Sequence, residues 1–230
     1  TAITSGGSQA NIEAMDMGDA QLGFVQTDVG AYAYNGERLF EDNKIDNFST
    51  VANLYMEQVQ IVTLNPDIKS VADLKGKAVS VGAAGSGVFY NAVDVLGAYG
   101  LDVDADISAT YQSFGDSTEA LQDGKIDAAF VVAGAPTTAV TSLSATKPVY
   151  LVSLDDEHID ALIAASPYYS KNVIAKDVYN TPEDVTTVAV GAVVIARNDV
   201  SAADVYNFLY GVFNPLADIT TAHAKGAELS

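Results

Sequence analysis

The sequence has no cysteine, and histidine occurs only twice in its 230 residues. The absence of cysteine excludes disulfide bonds, thiolate metal sites and cysteine nucleophiles. The two histidines, His158 and His223, lie in helical patterns without a second ligand three or four residues further along the chain. We therefore predict no metal centre, and nothing in the composition indicates a cofactor.

Basic residues are scarce, since 11 Lys and Arg stand against 30 Asp and Glu, for a formal net charge of −19. A surface of this charge repels the phosphate backbone of nucleic acids and an anionic membrane face. We therefore expect no nucleic-acid partner, and the charge favours solubility. A site for an anionic ligand would have few cationic side chains to draw on.

Long hydrophobic runs are missing as well. The longest apolar stretches, such as residues 185–196, are interrupted by Thr and Gly and are too short to cross a bilayer. No signal peptide is visible in this chain, although mature secreted proteins have lost theirs. With 49% hydrophobic residues, the chain can bury a substantial core as one large domain or two modest lobes.

Strand patterns and helix patterns alternate along the chain. This alternation predicts an α/β architecture with mainly parallel sheets. The predicted strands cover residues 21–26, 50–53, 58–64, 78–81, 111–114, 128–132, 149–154 and 186–195. The predicted helices cover residues 8–17, 28–35, 117–123, 136–144, 156–165, 202–213 and 215–224, and another follows the turn at 82–87 and ends at Tyr99.

One stretch of sequence is repeated. Residues 13–25 align without gaps with residues 119–131, with identical Glu, Ala, Gly, Phe and Val. Each copy is a helix, a glycine stop and a buried strand, a pattern that is also common in unrelated α/β units. The repeat favours two lobes of one design, with residues 1–65 plus 191–230 in lobe I and residues 66–190 in lobe II. The chain would cross between the lobes through strands, near 62–70 and near 188–196.

The strongest local motif is the glycine-rich turn between the strand at 78–81 and the helix that follows. Free backbone N–H groups and the helix dipole at such a terminus suit a carboxylate, sulfonate or phosphate. The turn is neither a P-loop nor a dinucleotide fingerprint, because the spacing of Gly and Lys does not match either. Spacing alone leaves open a plain tight turn, with Ser86 as an ordinary N-cap.

Three further segments could belong to a binding site. The first is the segment from Ser5 to Ser8, which leads into the first helix. The other two, Gln26–Asp28 and Gly134, follow the carboxyl ends of predicted strands, where open parallel sheets bind their ligands. For Asp28 a role as helix cap is an alternative, and for Gly134 a helix-entry turn. The sequence shows no pattern typical of a catalytic site, because it has no serine nucleophile elbow, no histidine near a candidate base and no distinctive carboxylate pair.

The sequence resembles the TAXI-type solute receptors of TRAP transporters over essentially all of its length. The residues that carry the resemblance are Ser5–Ser8 with Asn11, residues 22–29, 32–36 and 70–77, Gly85–Gly87, and residues 123–134. The resemblance implies a type II periplasmic-binding-protein fold with a ligand cleft between two lobes. It also implies an extracytoplasmic receptor, not an enzyme, that delivers a small carboxylate or glutamate-like amino acid to an ion-driven membrane permease.

Carried over position by position, the resemblance gives a set of ligand-binding residues. They are Ser5, Gly6, Ser8, Gln26, Asp28, Gly85, Ser86, Gly87 and Gly134. The chain departs from the family at Ala84, where Pro is usual, and at Thr27, where Ser is commoner. It also begins after the family's first strand and stops before the usual C-terminal helices, so we expect it to be truncated at both ends.

Two other classes of function remain open at this stage. The same fold serves receptors of ATP-driven importers and sensor domains, which the sequence does not separate from a TRAP receptor. An enzyme on this fold is a more distant alternative. A porphobilinogen deaminase relative would need a cysteine for its cofactor, and a dehydratase would need an acid/base pair in the cleft.

Overall fold

The computed structural model describes residues 1–214, 216–222 and 224–229. The chain divides into two compact units, the first formed by Thr1–Met56 with Gly191–Ser230 and the second by Glu57–Val190. Both divisions fall inside long strands, β2 (Phe48–Thr63) and β8 (Val185–Arg197). The sequence placed the first crossing near residues 62–70, because it divided β2 into two shorter strands.

The first unit holds the two ends of the chain. Its elements are α1 (Ser8–Asp16), β1 (Leu22–Gln26), α2 (Thr27–Asn35), a 3-10 helix (Arg38–Phe40), parts of β2 and β8, α7 (Ala202–Phe213), α8 (Leu216–Ala222) and a 3-10 helix (Ala224–Glu228). Strand β1 pairs antiparallel with β8, from Leu22 opposite Ala196 to Gln26 opposite Ala192. Ile12 and Met15 of α1 are fully buried together with Val29 of α2, so both helices contribute to this core.

The second unit is the larger. Its elements are a 3-10 helix (Val71–Leu74), β3 (Ala78–Ser80), α3 (Gly87–Ala98), β4 (Ser108–Thr110), α4 (Phe114–Gln122), β5 (Ala128–Ala133), α5 (Thr138–Ser144), β6 (Tyr150–Leu151), α6 (Asp156–Ala165), β7 (Ser170–Ile174), a 3-10 helix (Lys176–Val178) and the remaining parts of β2 and β8. The strand order is β8-β2-β5-β3-β4. The apolar residues of β5 are buried as far as Val132, as expected of a central strand.

The sheet is mixed, so the prediction of mainly parallel sheets is wrong. Strand β3 runs parallel to β4 and β5, whereas β1–β8, β2–β5, β2–β6 and β7–β8 are antiparallel pairs. The parallel pairs follow from the crossover helices α3 and α4, which return the chain to the same end of the sheet. The long strand β2 runs antiparallel to β5 and β6, and the long strand β8 runs antiparallel to β1 and β7.

Several boundaries also differ from the predicted ones. The strand predicted at 111–114 is β4 at Ser108–Thr110, and Phe114 already begins α4. The strand predicted at 149–154 is only the two residues of β6, and β7 was not predicted. Pro215, predicted to open the last helix, and His223 lie outside the described residues. Within the described part of the chain, none of the helices has the length and apolar character to span a membrane.

Candidate functional site

The parallel strands of the second unit all end at one edge of its sheet. Strand β3 pairs with β4 through Ser80 opposite Thr110, and with β5 through Ser80 opposite Ala129. The segments that leave these three strands are the turn at 82–86, residues 111–113 and residues 134–137. We call this region the carboxyl edge of the second unit, and it is where open α/β sheets bind their ligands.

The turn after β3 requires glycine at its first position. Gly82 has φ +89°, and a Cβ there would lie 2.5 Å from Cβ of Val88 and 2.8 Å from Oγ of Ser86. Gly85 also has a left-handed φ of 76°. The turn therefore folds back tightly, so that Ser86 and the start of α3 pack against Gly82.

Ser86 occupies the N-cap position of α3 without capping it. Its backbone is extended, but its side chain makes no hydrogen bond to the first turn of the helix. Only 6% of the residue is exposed, and Oγ has no hydrogen-bond partner within the described residues. An unmade hydrogen bond at a buried hydroxyl costs about 1–3 kcal/mol. The hydroxyl and the free amides of a 12-residue helix together form a donor site suited to an anion.

The loop after β5, which contains Gly134, is held by two glutamines from β2. Oε1 of Gln58 accepts a 2.9 Å hydrogen bond from the amide of Ala135. Nε2 of Gln60 donates to the carbonyl of Ala133 at 3.1 Å and to Oγ1 of Thr137 at 3.0 Å. The Thr137 hydroxyl donates in turn to the carbonyl of Gly134 at 3.1 Å. Both ends of the loop are thus fixed by side chains.

Tyr179 completes this network from a distant part of the chain. Its hydroxyl donates to Oε1 of Gln60 at 2.6 Å and accepts from the amide of Thr137 at 2.6 Å. Tyr179 is only 2% exposed, and this burial raises the pKa of its phenol. The phenol therefore stays neutral and donates its proton in the hydrogen bond to Gln60. Neither Tyr179 nor the two glutamines was predicted from the sequence to belong to the site. The strand predicted at 58–64 contains Gln58 and Gln60, and both glutamines are buried.

In the first unit, Ser8 joins the start of α1 to the end of β1. Its Oγ accepts a 3.1 Å hydrogen bond from the amide of Gln26, and both residues are buried. Gly7, with φ 130°, is the N-cap of α1, and Ser8 is the first helical residue. Ser5 is exposed and its hydroxyl accepts from the amide of Gly7 at 3.2 Å, while Gly6 is half-buried.

Asp28 is completely buried in the first turn of α2, two residues beyond Gln26. The positive end of the helix dipole stabilises a carboxylate at this position. The adjacent Thr27 accepts a 3.2 Å hydrogen bond on Oγ1 from the amide of Gly191 in β8. A Cβ on Gly191 would lie 2.9 Å from Cγ2 of Thr27, so glycine is needed for this close approach. The contact fixes the start of α2.

The structure thus arranges the predicted residues as two groups. The first group, in the first unit, comprises Ser5, Gly6, Ser8, Gln26 and Asp28, and the second group, in the second unit, comprises Gly85, Ser86, Gly87 and Gly134. Within the first group, the hydrogen bond between Ser8 and Gln26 joins two predicted residues directly. Within the second, the pairing of β3 with β5 brings the Ser86 turn and Gly134 to one edge. Among the described residues, no cluster of three histidine, cysteine or acidic side chains could hold a metal ion.

Known proteins resemble the chain at the level of family and fold. A model of the NMT1-like family matches residues 1–230. An ancestral arginine-binding protein bound to arginine is 15% identical with a TM-score of 0.54, over 96% of this chain and 76% of that chain. The GluR0 ligand-binding core from Nostoc punctiforme in complex with (L)-glutamate is 18% identical with a TM-score of 0.53, over 94% of this chain and 77% of that chain.

A third similar structure is the periplasmic aliphatic sulphonate binding protein SsuA from Escherichia coli. It is 19% identical with a TM-score of 0.49, over 94% of this chain, and the chain spans 57% of the length of SsuA. The arginine-binding protein and the GluR0 core show the fold. The chain has the two-lobed α/β fold of type II periplasmic binding proteins, as the sequence predicted, built on a mixed sheet.

Proposed function

The chain belongs to the NMT1-like family, and on that premise we propose that it is a solute-binding protein rather than an enzyme. Its solute is a small organic anion or an amino acid of glutamate-like size. Support for this class of ligand comes from the shared fold, since one related structure binds arginine and another holds glutamate. The finer assignment to the TAXI type rests on the sequence motifs at 5–8, 22–29, 85–87 and 123–134.

The observation that carries this proposal is the buried hydroxyl of Ser86. It lies at the N-terminus of α3, is packed against Gly82, and has no hydrogen-bond partner within the described part of the chain. A hydroxyl at this position can donate to an anionic group that the helix amides also bind. The solute's anionic group therefore binds at Ser86 and Gly87, with Gly134 at the same edge of the sheet.

The first group of residues supplies a different kind of contact. Asp28 is a fully buried carboxylate, and Gln26 beside it is 4% exposed. A carboxylate can form a charge-assisted hydrogen bond with the ammonium group of an amino acid. If the solute is an amino acid, its ammonium group binds to Asp28 or to the side chain of Gln26. Ser8 holds the backbone of Gln26 in place for this contact.

Charge alone does not attract an anion to this protein. The net charge is −19, and no Lys or Arg occurs in segments 5–8, 26–28, 85–87 or 134. Hydrogen bonds to charged partners contribute about 1.5–3 kcal/mol each, and a helix terminus contributes about 0.3–2 kcal/mol. Two or three such contacts outweigh surface charges, because salt screens charges over distances of about 8–10 Å. Backbone amides and hydroxyls therefore hold the anion.

We further propose the setting in which this binding occurs. In this proposal the two compact units are the two lobes of a binding protein, and the first lobe is discontinuous. The protein works outside the cytoplasm and delivers its solute to the membrane permease of a TRAP transporter. Reconstitution with candidate permeases distinguishes this partner from an ATP-driven importer, since TRAP-type uptake requires an ion gradient and not ATP.

The proposal is tested by asking what the protein carries and what stabilises it. Mass spectrometry of small molecules released from the denatured protein should find an amino acid or organic acid. A thermal-shift panel of amino acids and short carboxylates should find stabilisation that rises with ligand concentration. Incubation should leave the stabilising compound chemically unchanged. Turnover of that compound, or the absence of stabilisation by every member of the panel, would contradict the proposal.

A further inference from the structure

Gln112 is a polar residue at the carboxyl edge that the sequence analysis did not select. It lies two residues beyond the end of β4 and is half-buried. Its Oε1 is sealed from solvent and has no hydrogen-bond partner within the described residues. An amide oxygen left in this state costs about 1–3 kcal/mol. Such a cost is expected where a residue is placed for a partner that arrives with a ligand.

The surroundings of Gln112 relate it to the Ser86 turn. The amide of Val81, one residue beyond the end of β3, donates a 2.9 Å hydrogen bond to the carbonyl of Thr110, the last residue of β4. The ring of Tyr111 lies 5.8 Å from the ring of Phe89, in the first turn of α3. The segment that contains Gln112 therefore runs beside the segment that leads to Ser86.

The two side chains offer opposite hydrogen-bonding chemistry. The hydroxyl of Ser86 can donate, as can the first amides of α3, whereas the Oε1 atom of Gln112 can only accept. A carboxylate or sulfonate presents only acceptor oxygens, so it matches Ser86 but offers no donor to Oε1 of Gln112. A solute that satisfies both carries a donor close to its anionic group.

We infer that Gln112 is a specificity-determining residue whose Oε1 accepts a hydrogen bond from an N–H or O–H next to the solute's anionic group. This inference rests on the proposed function and narrows its substrate class to amino acids and hydroxy acids. Plain carboxylates are disfavoured, because binding them leaves the buried acceptor without a donor. The role differs from that of Asp28, since a neutral amide oxygen accepts from a hydroxyl as readily as from an ammonium group.

The test compares three probes that differ in one group. L-glutamate, 2-hydroxyglutarate and glutarate carry an ammonium, a hydroxyl and no donor at the same carbon. Calorimetry on the wild-type protein should find that L-glutamate and 2-hydroxyglutarate, which carry a donor, both bind more tightly than glutarate, which carries none. In Gln112→Leu, which keeps a similar volume, glutamate and 2-hydroxyglutarate should each lose about tenfold in affinity, the equivalent of one hydrogen bond. Glutarate should bind unchanged or more tightly.

Two controls separate failure of this inference from failure of the proposed function. Gln112→Met repeats the test with a second apolar side chain, and thermal unfolding checks that each variant is folded. Ser86→Ala should weaken all three probes. If it does and Gln112→Leu changes none of them, or weakens glutarate as much as the others, the inference is wrong and the proposed function stands. If wild-type protein binds none of the probes, the glutamate-like function fails and the inference fails with it.

Discussion

The hydroxyl of Tyr179 lies 2.6 Å from Oε1 of Gln60, although the two residues are 119 positions apart in the sequence. Through this bond a residue that directly follows the 3-10 helix between β7 and β8 supports the loop at the carboxyl end of β5. Because Gln60 also binds Ala133 and Thr137, the pair determines the backbone around Gly134. The candidate site therefore depends on side chains that do not themselves belong to it.

Removal of this hydroxyl should destabilise the second unit. In Tyr179→Phe, Oε1 of Gln60 and the amide of Thr137 both lose a buried partner, and we expect a loss of about 1–3 kcal/mol in the free energy of unfolding. Urea denaturation measures that loss, and hydrogen exchange should show faster exchange in residues 134–137. Tyr206→Phe is the matched control, because Tyr206 is 65% exposed. Equal stability of the two variants would show that the network contributes nothing.

Alanine at Gly82 should be much more harmful than alanine at Gly100. Both glycines have a left-handed φ, +89° and +71°, which strains any residue with a Cβ by about 1–2 kcal/mol. A Cβ at Gly82 also lies 2.5 Å from Val88, whereas nothing lies within 4 Å of one at Gly100. Denaturant midpoints of the two variants measure the difference. A Gly82→Ala protein as stable as Gly100→Ala would mean that the turn is not packed as described.

Acid should remove one specific contribution to stability. The ring Nδ1 of His158 lies 2.7 Å from Oδ1 of Asp155. This hydrogen bond lowers the pKa of Asp155 from 3.8 to about 2, and a hydrogen bond from the hydroxyl of Tyr99 contributes a smaller part of the shift. The pKa of Asp155 is lower in the folded protein than in the unfolded chain, so its ionised carboxylate stabilises the fold above about pH 4. This stabilisation is lost as the pH falls through about 2.

Unfolding measurements on Asp155→Asn test this assignment. The wild-type protein should be the more stable near pH 6, and the gap between the two should narrow as the pH falls from about 4 to about 2. Exposed Asp104→Asn is the control that changes the net charge equally. A gap that stays constant over this range would show that Asp155 gains nothing from its ionisation.

Asp28 should discriminate between solutes by their amine. Asp28→Asn is expected to weaken L-glutamate by tenfold or more and to leave glutarate within about twofold, because only glutamate carries an ammonium group. Calorimetry measures both affinities. Asp156→Asn is a matched control, as an acidic residue in the first turn of another helix, α6. Equal losses for the two ligands would assign Asp28 to the folding of α2 instead.

Much of the fold could be predicted from local patterns. The helix at 202–213 and the strands β1, β5 and β8 stand out because their apolar spacing is strong over several residues. The prediction of a strand at 111–114 is wrong. The aromatic residues there favour a strand, but the side chain of Ser113 accepts a hydrogen bond from the amide of Asp116 and caps the start of α4. The Ser-x-x-Asp spacing at that point was a usable signal for a helix N-terminus.

The candidate site was predictable only in part. The glycines around Ser86 predict a tight turn. At Gly82 the positive φ and the close contact with Val88 allow hardly any residue other than glycine. The roles of Gln60, Tyr179 and Gln112 depend on contacts between distant segments, and a single sequence contains no local signal for them. The mixed sheet was missed for the same reason, because strand direction in β2 and β8 depends on partners far along the chain.

The most direct test of the central claim is the affinity of Ser86→Ala for L-glutamate and for glutarate. The claim is that a buried hydroxyl at the start of α3 donates to the solute's anionic group, which both probes share. Calorimetry should find both affinities lowered by about tenfold relative to the wild type. Ser108→Ala, at the opposite end of β4 and exposed, should bind both probes normally. Unchanged affinity of Ser86→Ala for both ligands, in a variant that unfolds like the wild type, would contradict the claim.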